Sequence, residues 1–109
     1  MAQKKHKTIA AHPGEILRTE FMEPMGISAY RLAKDLHLPG VYEIVRGERA
    51  ISADVALRLG KYLGTTPQFW MNLQQQYELR LAEKEVGAQV ASLPRRANAQ
   101  STRKLGKTA

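Results

Sequence analysis

The chain has 109 residues, 43% of them hydrophobic, no cysteine and a formal net charge of +7. That is enough for one small core with short tails, and it excludes disulfides, thiolate metal sites and thiol catalysis. No apolar run approaches the roughly 20 residues that span a bilayer, and the charged N-terminus lacks the apolar stretch of a signal peptide, so a soluble cytoplasmic protein is expected. The positive charge points to an anionic partner, but its placement matters. Eight of the 17 basic residues lie in two tails free of acids: Lys4, Lys5 and Lys7, then Arg95, Arg96, Arg103, Lys104 and Lys107. Nine basic residues remain against ten acidic ones in residues 13–94, a net of −1. A surface for an anionic partner must therefore come from local placement of charge.

Helical signals dominate, and no segment reads as a strand. Residues 13–22 open on Pro13, suited to a first helical turn, with Glu15 at the positive helix end; Ile16, Leu17 and Phe21 form the apolar face, and Pro24 with Gly26 ends it. Ser28 is an N-cap for the next helix, in which Leu32, Ala33 and Leu36 face inward. The turn His37-Leu38-Pro39-Gly40 leads to a short helix from Val41 to Arg46, closed by Gly47. Ser52 caps a fourth helix carrying Val55, Ala56, Leu59 and Leu63, and Gly64 stops it. Thr66-Pro67 pairs an N-cap with proline at the first position and starts the longest helix, where Trp70, Leu73, Tyr77 and Leu81 recur at helical spacing. From Gly87 onward the periodicity is lost. The expected architecture is all-α: a compact five-helix domain over residues 12–86, between a flexible basic N-terminal arm (1–11) and a flexible basic C-terminal tail (87–109).

Ser28 to Gly47 carries the functional pattern. A capped supporting helix, a small residue at Ala33, a corner filled by Leu38 and a second helix at Val41–Arg46 together read as a helix-turn-helix. The second helix of such a unit enters the major groove while the first crosses the phosphate backbone. The runs HPGEIL (12–17), SAYRLAKDL (28–36) and EIVRGERAISADVALRLGKYLGTTPQFWMNLQQQYEL (43–79) resemble the HigA-type antitoxins of the Xre-like helix-turn-helix superfamily, over about residues 12–85. The resemblance implies a lambda-repressor-like fold and a homodimeric, operator-binding autorepressor. It also implies a second partner, a HigB/RelE-like messenger-RNA-cleaving toxin that the antitoxin silences. The chain departs from the family before Glu43, where about two residues are missing between the Leu-Pro corner and Glu-Ile-Val. In a twenty-residue helix-turn-helix frame with Ala33 fifth, the apolar position of the second helix falls on Glu43, and Val41 and Ile44 are the apolar residues available. Either the turn is tighter than usual or the recognition helix has lost part of its first turn.

The candidate DNA-binding residues follow from this reading. Ser28 caps the supporting helix and offers a phosphate contact, and Tyr30 and Arg31 lie on its exposed side. Gly40 and Tyr42 stand at the start and outer side of the recognition helix, with Val41 assigned to the core. Arg46 and Arg49 flank Gly47 on a tight loop suited to clamping phosphates, with Glu43 and Glu48 turned away or paired with them. Trp70, Leu73 and Tyr77 are apolar at core spacing and are candidates for a dimer interface. No catalytic function is expected, because His6, His12 and His37 have no metal-ligand spacing and no phosphate loop or nucleophile elbow is present. No cofactor or metal is expected. The alternatives are a stand-alone Xre-type regulator without a toxin, and a protein-interaction module in which the shortened turn has abolished specific DNA binding.

Overall fold

The computed structural model describes residues 11–96, which form five helices. Helix α1 begins with Pro13–Ile16, continues through a π-helical stretch Leu17–Met22 and ends with Glu23–Met25. It therefore runs three residues past the expected end at residue 22. A proline inside an α-helix clashes with the carbonyl four residues back, and the wider π register upstream of Pro24 relieves that crowding. Gly26 then closes the helix in the left-handed region (φ 66°).

The remaining boundaries follow their caps. Helix α2 spans Ala29–Leu36 and α3 Val41–Val45; α4 spans Ala53–Leu63 and α5 Pro67–Ala91. The Ser28, Ser52 and Thr66 hydroxyls accept from the backbone N–H groups of Arg31 (3.0 Å), Val55 (3.2 Å) and Phe69 (3.1 Å). Each fills one vacancy that every helix start leaves open. Helix α5 passes through Gly87 to Ala91, so the loss of apolar periodicity at Gly87 does not end the helix as the expected domain boundary at residue 86 assumed. One glycine costs only about 1 kcal/mol in a helix, and the alanine and glutamine after it are good helix formers. The N-terminal arm and the tail beyond Arg96 lie outside the described residues.

The core joins Leu17 and Met22 of α1, Leu32 and Leu36 of α2, Val41 and Ile44 of α3, Ile51, and Val55, Ala56 and Leu59 of α4 to Trp70 of α5. Trp70 is fully buried. Its indole N–H donates to the Thr65 hydroxyl (2.7 Å), and its ring stacks at an angle on Phe21 (centroids 5.3 Å apart) and edge-on to Phe69 (4.9 Å). Gly60 lets the α4–α5 corner close, since a Cβ there would approach the Thr65 carbonyl to 2.9 Å. Replacing Trp70 by Ala removes the largest buried side chain and the Thr65 bond together. We expect a loss of about 3–5 kcal/mol in equilibrium urea unfolding, and a loss under 1 kcal/mol would mean that the ring is not part of the core.

Candidate nucleic-acid interface

The helix-turn-helix is built from α2, a four-residue corner and α3. His37 takes the left-handed conformation (φ 55°), the one non-glycine residue to do so among the described residues. The Leu38 N–H bonds back to the Ala33 carbonyl (2.9 Å) and the Val41 N–H to the Leu38 carbonyl (3.1 Å), so α3 starts directly off the turn. The five-residue α3 holds less than one and a half turns. Val41 and Ile44 are both fully buried, three residues apart. The buried face of α3 is thus set by Val41 and Ile44, while Glu43 stays half-exposed.

The sequence-predicted residues fall into two groups around this unit. Tyr30 is 65% exposed and Tyr42 39%, and they border one shallow cleft floored by Ala33, Leu38 and Pro39. Ser28 is exposed above the start of α2, its hydroxyl occupied by the capping bond. Gly40 lies beneath Arg49: a Cβ on Gly40 would meet the Arg49 Nε at 3.2 Å, so the bare glycine lets the arginine cross the start of α3. Arg46 and Arg49 both project from the α3–α4 loop, whose bend is taken by Gly47 (φ 81°).

Each of the three candidate arginines has an acidic neighbour. Arg31 Nε lies 3.0 Å from Asp35 Oδ2, Arg46 Nη2 3.2 Å from Glu48, and Arg49 Nε 3.7 Å from Glu43. Glu43 and Glu48 pair with the loop arginines, as their positions in the sequence suggest. Asp35 also accepts from the Tyr62 hydroxyl, and this bond, with Arg31, holds the Asp35 carboxyl below the usual range. The same contact pushes the Tyr62 phenol up, and Glu48 raises the already high Arg46 pKa further. These pairs are exposed and contribute little to stability; they neutralise the arginines until a stronger anion arrives.

Three residues that brace the unit escape sequence reasoning. Arg58 on α4 pairs with Asp54 (2.6 Å), a spacing visible in the sequence, but its Nη1 also donates to the carbonyls of Leu36 (2.7 Å) and His37 (3.3 Å), capping α2 from 22 residues away. Gln74, 5% exposed, accepts from the Ile51 N–H (2.9 Å) and donates to Glu78 (2.9 Å), tying the α3–α4 loop to α5. His12 caps α1, its Nδ1 accepting from the Gly14 N–H (2.8 Å). Of the dimer candidates, Trp70 is buried within the chain and has no surface to offer a partner, which corrects that assignment. Leu73 packs against the core, and the half-buried Tyr77 ring meets His12 edge-on (4.8 Å).

A capped helix, a tight corner, a short second helix and a basic loop beside it define a helix-turn-helix protein of the DNA-binding class. No family model matches the sequence, but individual relatives do. Virulence-associated protein I of Dichelobacter nodosus is 51% identical over 83 residues, 74% of this chain and 77% of that protein. Antitoxin HigA-1 of Vibrio cholerae is 38% identical over 78 residues, 70% of this chain and 73% of that protein. The structure of the Pseudomonas aeruginosa antitoxin HigA with the higBA promoter superposes with a TM-score of 0.74 at 48% identity, covering 78% of this chain and 96% of that one. The chain belongs to the HigA-type antitoxins of the Xre-like helix-turn-helix superfamily.

Replacing Gln74 by Leu leaves the buried Ile51 N–H without its acceptor. A loss of about 1–3 kcal/mol is expected in thermal or urea unfolding, with amide exchange at Ile51 accelerated; unchanged exchange there would show that the loop is held by other means.

Proposed function

We propose that the protein is the antitoxin of a type II toxin–antitoxin pair, a cytoplasmic repressor that binds its own operator as a symmetric dimer and silences a HigB/RelE-like messenger-RNA-cleaving toxin. The observation that carries the DNA half is the Arg46–Arg49 loop set beside a helix-turn-helix, together with the 48% identity to an antitoxin solved with promoter DNA. In this reading Ser28, Tyr30 and Arg31 meet the backbone from α2, Gly40 and Tyr42 face the groove, and Arg46 and Arg49 exchange their carboxylates for phosphates. Toxin neutralisation rests on family membership. Co-expression with the neighbouring gene tests it: rescue of growth and a co-purifying complex support the pair, and a neighbour that is harmless leaves a stand-alone regulator.

The operator reading is tested by titrating the protein onto its own promoter and onto scrambled DNA at moderate salt. A preference of at least a hundredfold for the promoter is expected, below the usual range of specific binders because the recognition helix is short; equal affinity leaves only nonspecific phosphate attraction. In the same assay Arg49→Ala is expected to weaken both DNAs and to reduce the salt slope by about one. An unchanged slope removes Arg49 from the contact surface.

The second half of α5 is where the dimer contact belongs. Leu79, Val86, Val90 and the following Leu93 are all exposed along one face with Ala82 and Ala91 between them, and every side chain from Glu78 to Arg96 except Gly87 is exposed. Gly87 has ordinary helical φ, and a Cβ there would meet nothing within 4 Å, so the single chain has no use for it. A second copy crossing antiparallel at Val86–Gly87 gives it one, because two helices then approach at the missing side chain. The same crossing brings Glu78 near Arg95 of the other copy. Val90→Glu is expected to sediment as a folded monomer at concentrations where the wild type is a dimer. Gly87→Ala should stabilise the helix by about 1 kcal/mol yet weaken the dimer; a dimer unaffected by both changes would place the contact elsewhere.

A further inference from the structure

His12 sits at a joint between the candidate DNA-contacting loop and the rest of the fold. Gly14, two residues on, presses so closely on the recognition helix that a Cβ there would fall on the Ile44 carbonyl oxygen. On the loop side, the His12 ring lies 3.7 Å from the point that a Cβ on Gly47 would occupy, and the Arg49 backbone faces the ring closely enough to favour its protonated form. On the α5 side, the ring meets Tyr77 edge-on. The start of α1, the arginine loop and α5 therefore converge on one imidazole.

The two ring nitrogens have opposite duties. Nδ1 must be a bare acceptor, because the Gly14 N–H points at it. The nitrogen facing the Arg49 carbonyl must carry hydrogen, because a carbonyl only accepts. Only neutral imidazole in one tautomer satisfies both. A proton on Nδ1 would face the Gly14 N–H, and the ring would have to turn away, leaving the Arg49 carbonyl as it went. We propose that neutral His12 is a positioning residue for the Gly47–Arg49 loop, and that its protonation loosens the grip of the loop arginines on operator DNA. The proposal rests on the operator-binding reading above.

The surroundings fix the direction. Burial lowers the His12 pKa below its usual 6.5; the Arg49 carbonyl and the nearby Glu15 carboxylate oppose that shift without overcoming it. The groups facing the ring are Glu15 from α1, the Tyr77 phenol ring from α5 and the Arg49 carbonyl from the loop. Because the folded pKa is depressed, the unfolded or loosened chain binds the proton better. The joint is fully formed above about pH 6.5 and is lost as pH falls from there through the folded pKa. An added positive charge near DNA would by itself strengthen binding at low pH, so the sign of the effect separates the two causes.

The test pairs two measurements at constant ionic strength between pH 7.5 and 5.0. Promoter affinity of the wild type is expected to fall, by up to tenfold per pH unit below the His12 pKa, while the far-ultraviolet helix signal is retained. His12→Asn keeps a side chain that caps a helix well but is too short to bridge to the loop. It should fold, bind several-fold more weakly at pH 7.5 and lose the fall at low pH. In the free protein, the backbone amide resonances of Gly47 and Arg49 should move with the His12 titration in the wild type and stand still in the variant. Affinity that stays level or rises on acidification, a variant with the wild-type profile, or an affinity loss that merely follows unfolding would each overturn the proposal. Failure of the operator reading is seen separately, as equal affinity for promoter and scrambled DNA at pH 7.5, and in that case the amide titration alone decides whether the joint exists.

Discussion

A helix of five residues cannot hold itself together. It fixes the backbone of a full turn in return for very few hydrogen bonds, and in water it would melt. The recognition helix Val41–Val45 is such a helix, and the surrounding structure is arranged to hold it. Val41 and Ile44 anchor it in the core; Gly14 lets α1 bear on its Ile44 carbonyl; Arg58 of α4 caps the α2 carbonyls at the corner before it; and Gln74 of α5 fastens the loop after it. Each support comes from a different element. The geometry of the groove-facing side is therefore a property of the whole domain, and damage far from the surface, as at Trp70, should be felt there.

In the proposed operator complex, the arginines would give up their carboxylate partners at little cost. Arg31, Arg46 and Arg49 each lie against a carboxylate, all of these pairs are exposed, and exposed pairs of this kind are worth about 0–1 kcal/mol. Little is lost when a guanidinium leaves Glu43 or Glu48 for a phosphate, and the free protein meanwhile presents a nearly neutral folded surface.

Much of this was legible in the sequence because caps and glycines act locally. Ser28, Ser52 and Thr66 announce their helices through a hydroxyl that reaches only three residues, and Gly26, Gly47 and Gly64 announce the ends through a conformation their neighbours avoid. The pairing of Glu43 and Glu48 with the loop arginines was legible only as one of two alternatives, the other being that they turn away. What acts across the chain was not. Gln74 reads as one glutamine in a polar run, His12 as a residue at the edge of a basic arm, and Arg58 as half of an exposed pair with Asp54. Their partners lie 23, 37 and 22 residues away, and no local pattern encodes those separations. The extension of α1 through Pro24 was hidden for a related reason: a proline ordinarily stops a helix, and only the π register makes room for it.

Helix α5 divides its work at Glu78. Up to Tyr77 it faces inward, giving Trp70 to the core, Gln74 to the loop and Tyr77 to His12. Beyond it, the helix keeps its structure for more than a dozen residues with every side chain exposed. Such a segment is costly to leave alone, since an isolated helix of that length is marginal in water and this one carries a glycine in its middle. The apolar face and the unexplained glycine would share one resolution in the proposed dimer, a second copy crossing at Val86–Gly87. Because Gln74 and Glu78 are hydrogen-bonded to each other, the inward and outward halves are mechanically joined. In the proposed dimer, an event at that contact would have a short physical path, through Glu78, Gln74 and Ile51, to the loop that carries Arg49.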